Sequence, residues 1–187
     1  MQVHVPACRM ASRHALAVIP AGPPWGRRGM ALLSALVSVL AACAVGPKLV
    51  YHSFAFDAIA DSPDIQVLDY VYGGSRAPGA RMPEWIKRDV GFSAGTNING
   101  PMPVGDRLYV RWRLRATDEV LEDTVDLQSR LPRDMAQHTV YFVVDRRQLR
   151  VYLVSPTTRP PGSTPTGPAK FWRFKVDSIY PDGPSAP

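Results

Sequence analysis

Arg107-Leu108-Tyr109-Val110-Arg111-Trp112-Arg113-Leu114-Arg115 decides the fold class. Successive side chains leave a β-strand on opposite faces, so a period of two, rather than 3.6, marks a strand buried on one side only. Leu108, Val110, Trp112 and Leu114 fall on one face, and Arg107, Tyr109, Arg111, Arg113 and Arg115 on the other.

The same reading extends in both directions along the chain. Thr139 to Val144 and Leu149 to Val154 are β-branched and aromatic runs, and Asp145-Arg146-Arg147-Gln148 between them predicts a hairpin, although without the Asn-Gly signal of the tightest turns. Ser53 to Phe56, Ile65 to Tyr72, Val120 to Leu127 and Phe171 to Val176 are further strands, and helix is confined to short turns at Pro83 to Arg88 and Ser129 to Gln137. Gly, Pro, Asn and Ser make Ala77 to Pro83 and Gly91 to Gly105 irregular, and Pro156 to Pro168 reads as a solvated, partly polyproline linker. The expected fold is mainly β: a single antiparallel sheet domain, a sandwich or a partly closed barrel, with Val110, Trp112, Phe142 and Tyr152 in its core.

Ahead of this domain stands a segment of different character. Arg27-Arg28 precede an apolar run from Met30 to Leu40, which ends in the small residues Ala41-Ala42, the layout of a secretory signal. Ala31 to Val45 is shorter than the roughly 20 apolar residues of a spanning helix, and Pro47 follows. Leu40-Ala41-Ala42-Cys43 resembles the lipobox of bacterial lipoproteins. That resemblance implies cleavage after Ala42 and acylation of the Cys43 thiol, which becomes the mature amino terminus carrying fatty acyl chains such as palmitate. The expected organisation is a leader and lipoprotein signal at 1–42, a lipidated tether at 43–51, a β-rich domain at 52–155, a Pro-rich linker at 156–169 and a C-terminal strand and tail at 170–187. Met10 and Met30 are alternative starts. Ala44, where enteric lipoproteins held at the inner membrane carry an aspartate, implies the periplasmic leaflet of the outer membrane.

Removing such a leader changes the charge and the cysteine count. The formal net charge of +6 loses Arg9, Arg13, Arg27 and Arg28 and no acid, leaving about +2. That is too little for the strongly basic face of a nucleic-acid binder, so no nucleic-acid partner is expected. Cys8 goes with the leader and Cys43 is lipidated, leaving no thiol for a disulfide, a metal site or a nucleophile.

Catalytic and metal patterns do not assemble. His52 and His138 stand far apart without ligand spacing, and Gly74-Ser75-Arg76 and Gly91-Phe92-Ser93 lack the Gly-x-Ser-x-Gly elbow. Asp118, Glu119, Glu122, Asp123 and Asp126 lack the oxygen spacing and central glycine of an EF-hand. No catalytic residue, metal or cofactor is expected. Arg107, Arg111, Arg113 and Arg115 are the candidate partner-binding residues, because four guanidinium groups on one strand face suit an acidic protein, a lipid headgroup or a phosphorylated glycan. The competing reading makes them the polar outer face of a half-buried strand, neutralised by cross-strand pairing with the acidic Glu119 to Asp126 segment.

Gly100-Pro101-Met102-Pro103-Val104-Gly105-Asp106-Arg107-Leu108-Tyr109-Val110-Arg111-Trp112-Arg113 is similar to a family of small proteobacterial lipoproteins. The similarity continues through Thr124-Val125-Asp126-Leu127, Arg130-Leu131-Pro132, Tyr141-Phe142-Val143-Val144 and Val151-Tyr152-Leu153 to Ile179-Tyr180-Pro181-Asp182. It implies a lipid-anchored periplasmic protein and no particular activity. By analogy of size and location with immunity lipoproteins that block effectors of type VI secretion, the expected role is a non-enzymatic protein-binding module. The alternative is a structural envelope lipoprotein that holds lipopolysaccharide or peptidoglycan through the arginine-bearing face.

Overall fold

A computed structural model describes residues 47–89 and 94–182. The leader, Ala42 and Cys43 lie outside the described residues. In chain order the elements are β1 (Leu49–Asp57), α1 (Ala58–Asp61), β2 (Ile65–Tyr72), α2 (Glu84–Asp89), β3 (Gly95–Pro103), β4 (Arg107–Leu114), β5 (Val120–Asp126), β6 (Thr139–Asp145), β7 (Gln148–Thr158), a 3-10 turn (Ala169–Phe171) and β8 (Phe174–Tyr180). They form a five-stranded sheet in the order β3-β1-β6-β7-β8 and a three-stranded sheet in the order β2-β4-β5.

The two sheets share one core, which makes the fold a sandwich and sets aside the barrel. Alternation dictates the inner faces: Leu108, Val110 and Trp112 from β4 are each at most 1% exposed, and Phe54, Phe142 and Val151 meet them from the larger sheet. Phe54 of β1 stacks on Tyr72 of β2 with ring centroids 4.6 Å apart, and Phe56 lies edge-on to Tyr70 at 5.1 Å. Along one side, the Tyr180 hydroxyl of β8 donates to Asp123 of β5 at 2.8 Å, while Arg130 forks onto Asp182 and donates to the Ile179 carbonyl. Along the other side, β3 approaches the β2–α2 loop so closely that a Cβ on Gly79 would stand 2.3 Å from the Ile98 side chain.

The structure corrects four details of the sequence reading. The larger sheet is mixed, because β1 and β6 run parallel, with Ser53 to Ala55 beside Thr139 to Tyr141. A parallel pair needs a long crossover, and here the excursion through the second sheet supplies it. Gly95–Pro103, within the stretch expected to be irregular, is a nine-residue strand paired with β1 from Leu49↔Pro103 to Asp57↔Gly95. It sits at a sheet edge, where Pro101 and Pro103 leave no interior ladder bond unmade. Leu49 to Tyr51, expected in the tether, already belong to β1. Finally, Pro156 to Thr158 belong to β7, while the rest of the Pro-rich stretch joins β7 to the neighbouring β8 and is exposed from Pro160 to Gly167, touching the outer face of the sheet only near Thr166 to Pro168.

A second apolar cluster lies on the outer face of the large sheet: Ala55, Tyr141, Tyr152, Val154 and Val176, with Phe171 against them. Gly167 has φ +72, and a Cβ there would stand 2.9 Å from Val176 and 3.2 Å from the Tyr152 ring, so the loop reaches the sheet only through a glycine. The Tyr141 hydroxyl donates to Asp61 at 2.6 Å and accepts from Lys170, whose ammonium lies 4.1 Å from the Tyr141 ring centroid. Burial, with the Asp61 carboxylate beside it, pushes the Tyr141 phenol far up, so it remains a donor.

Candidate functional site

The arginine-bearing face of β4 is the middle of the three-stranded sheet, and its register pairs it with acid. Arg111 stands between Asp69 of β2 and Glu122 of β5, and Arg107 is opposite Asp126. Tyr109 donates to Glu122 at 2.8 Å, and Lys87 of α2 bonds Asp69 at 3.0 Å. Arg113 faces Gln66 at 3.3 Å, and Arg115 Nε donates to the Ile65 carbonyl at 3.1 Å. The face thus alternates in sign, as the cross-strand reading requires, and presents no uniform field to a polyanion.

The other residues weighed above are dispersed into structural roles. Ser75 is buried and its Oγ accepts from Ala77 N at 3.2 Å, a turn contact. Glu119, Glu122, Asp123 and Asp126 bond Arg147, Tyr109, Tyr180 and the Gln128 amide respectively. His138 contacts the Ala136 carbonyl at 3.0 Å.

His52 is wholly buried between the sheets, with Nδ1 2.8 Å from the Val50 carbonyl and Nε2 3.0 Å from the Tyr72 hydroxyl. A carbonyl only accepts, so Nδ1 carries the proton and Nε2 accepts from Tyr72. Burial lowers the His52 pKa and pushes the Tyr72 phenol up to about 12. An imidazole whose folded pKa lies below 6.5 binds fewer protons than in the unfolded chain, so stability is full above about pH 6.5 and falls as pH drops through that value. The expected result is a urea midpoint that declines between pH 7.5 and 5.5 by more in the native chain than in His52→Gln. Equal declines would place the titration elsewhere.

Three turns far apart in sequence converge at the end of the sheets opposite the start of β1. Arg147 at the β6–β7 turn forks onto Glu119 at the β4–β5 turn at 2.7 and 2.8 Å. Trp112 Nε1 donates to the Arg146 carbonyl at 2.9 Å, and the Arg115 amide to the Asp64 carbonyl at 3.0 Å. Arg146 takes φ +54, an uncommon backbone for a side chain other than Gly, Asn or Asp. Strain of this kind persists only where the surroundings hold it, here the Trp112 indole and the Asp145↔Gln148 pair. Two adjoining concavities, of about 780 and 1050 Å³, meet at Asp64, Asp145 and Arg146. Arg150 and Tyr152 line the first, whose far wall is Thr164 to Pro168 of the Pro-rich loop, and Arg115 and Arg147 line the second.

Of the four arginines singled out in the sequence, this pole contains Arg115 alone. Arg146 and Arg147 were legible only as a hairpin connector. Two arginines at the tip of a hairpin with no glycine were the available signal, and their meeting with Arg115 and Asp64 is a product of the fold. The Arg146 guanidinium has no hydrogen-bond or ion partner among the described residues, while Asp145 is 3.5 Å from Arg150.

Comparison with protein-family models, curated proteins and solved structures finds no match.

Proposed function

We propose that this chain is a lipid-anchored periplasmic lipoprotein that acts as a non-enzymatic protein-binding module and docks its partner at the pole formed by the β4–β5 and β6–β7 turns. The observation that carries this reading is the strained Arg146 turn, which projects an unpaired guanidinium between two concavities containing both carboxylates and arginines. Arginine at the centre of a concave, mixed-charge surface suits a protein partner, where directional charge pairing gives specificity. The pole also lies opposite the start of β1, so a tether from Cys43 leaves it facing away from the membrane. An immunity role against a delivered effector fits this arrangement by analogy alone. The sign alternation on β4 weighs against the alternative, an envelope lipoprotein holding polyanionic glycan by its arginine face.

A photo-crosslinking amino acid at position 146, compared with one at 111, tests the docking site in cells carrying the full chain. A discrete adduct from 146, lost when Arg147→Glu is added, is expected. Adducts from 111 alone would move docking to the strand face, and none from either would contradict a protein partner.

A further inference from the structure

We propose that the pole of the five-stranded sheet at the start of β1 lies on an anionic phospholipid monolayer, through an apolar patch of Leu49, Tyr51, Trp172 and Phe174 flanked by the cations Lys48 and Arg173. The topology brings these residues together. β1 and β6 are parallel, β7 is antiparallel to β6 and β8 to β7, so the first residues of β1 and β8 share one end of the sheet. Alternation then places Leu49, Tyr51 and Phe174 on the same outer face as Ala55 and Val176. Three strand spacings, about 14 Å, separate β1 from β8.

Exposure is what sets this patch apart. Leu49 is 59%, Tyr51 56%, Trp172 51% and Phe174 40% exposed, four of the seven exposed large apolar side chains found among the described residues. Trp172 is held in place: its carbonyl accepts from Arg159 Nε at 3.1 Å, the Arg159 amide bonds the Arg173 carbonyl at 2.9 Å, and the Arg173 guanidinium stacks 4.8 Å from the indole centroid. Lys48 and Arg173 have no carboxylate partner among the described residues, whereas Lys175 is neutralised by Asp177 at 3.0 Å. Tryptophan and tyrosine with unpaired cations form the composition that settles at a bilayer interface, rings at headgroup level and charges toward anionic lipid.

The choice of occupant rests on the lipid-anchored reading above. Leu49 follows Cys43 by six positions, so an acylated Cys43 would hold this pole within about 20 Å of its point of insertion. A membrane is then the surface the patch meets at the highest effective concentration.

The test reconstitutes the full chain into phosphatidylcholine vesicles with and without phosphatidylglycerol, reads tryptophan quenching by brominated acyl chains, and determines the mass of Cys43. Quenching that is lost in Trp172→Phe and retained in Trp85→Phe is expected. Lys48→Gln with Arg173→Gln should weaken it in phosphatidylglycerol vesicles alone, by about fivefold in partitioning for each cation removed. Both cations are solvent-facing, and Arg159, which holds the Trp172 carbonyl, is left intact. An acylated Cys43 with Trp172 unquenched would overturn the patch and leave the anchor standing. An unmodified Cys43 with Trp172 quenched would do the reverse. Trp172 shielded from acrylamide yet untouched by brominated lipid would assign the patch to a second copy of the chain and overturn the lipid assignment.

Discussion

Trp112→Ala lowers the unfolding free energy by about 3–5 kcal/mol, the range for removing a fully buried large aromatic. Trp112 is 1% exposed, on the central strand of the smaller sheet, so the cavity opens where neighbouring strands on both sides resist collapse. The indole also donates to the Arg146 carbonyl, and that bond steadies the φ +54 turn of the docking pole. Trp112→Phe keeps most of the volume and removes the donor, with an expected loss of about 0.5–1.5 kcal/mol for one partly buried hydrogen bond whose carbonyl, on an exposed turn, water can reach. Its larger effect falls on function: an Arg146 turn released from its strained backbone should give a weaker position-146 adduct while the domain stays folded. Urea unfolding of both variants is the check. A cost below about 1 kcal/mol for Trp112→Ala would mean that the two sheets do not share a packed core at this position.

Much of the fold was legible because alternation needs no long-range information. Arg107 to Leu114 appears where the period of two placed it, Ile65 to Tyr72 is a strand as expected, the β6–β7 hairpin appears where β-branched and aromatic runs placed it, and the inward row of Val110, Trp112 and Phe142 is the core. Tyr152 is buried too, but on the opposite face, beside Gly167 of a Pro-rich loop that is otherwise exposed, as its composition indicates. The failures share a cause. β3 is rich in Gly, Asn and Pro, which local propensity reads as loop, and only its edge position beside β1 makes it a strand. The β1–β6 parallel pair likewise depends on where the chain returns, which no local pattern encodes.

The candidate site was less legible for the same reason. The arginine stripe and its pairing with the Glu119 to Asp126 segment were visible as a pattern, whereas Asp69 arrives beside Arg111 from β2 and completes the balanced face. The docking pole draws on Asp64, Arg115, Arg146 and Arg147, contributed by three separate turns whose meeting no local pattern encodes. Arg146 gains its distinction from a backbone angle and one indole contact, neither of which composition carries.

The anchored reading supplies the second large effect. Each buried methylene contributes about 0.8 kcal/mol, so one acyl chain gives marginal attachment and two or three hold a protein on the membrane for practical purposes. On that reading Cys43→Ala removes the attachment point for such chains, and the membrane-retained fraction should fall from nearly all to little, with the protein soluble or still carrying its leader. The pole patch of Trp172 and Phe174, acting alone, is expected to give only weak and salt-sensitive retention.

The central claim is tested most directly by the intact mass of the native protein recovered from the membrane fraction, measured beside Cys43→Ala. The account predicts a chain that begins at Cys43 and carries the added mass of acyl chains, with both features lost in the variant. A native protein with residues 1–42 intact and an unmodified thiol at Cys43 would contradict it.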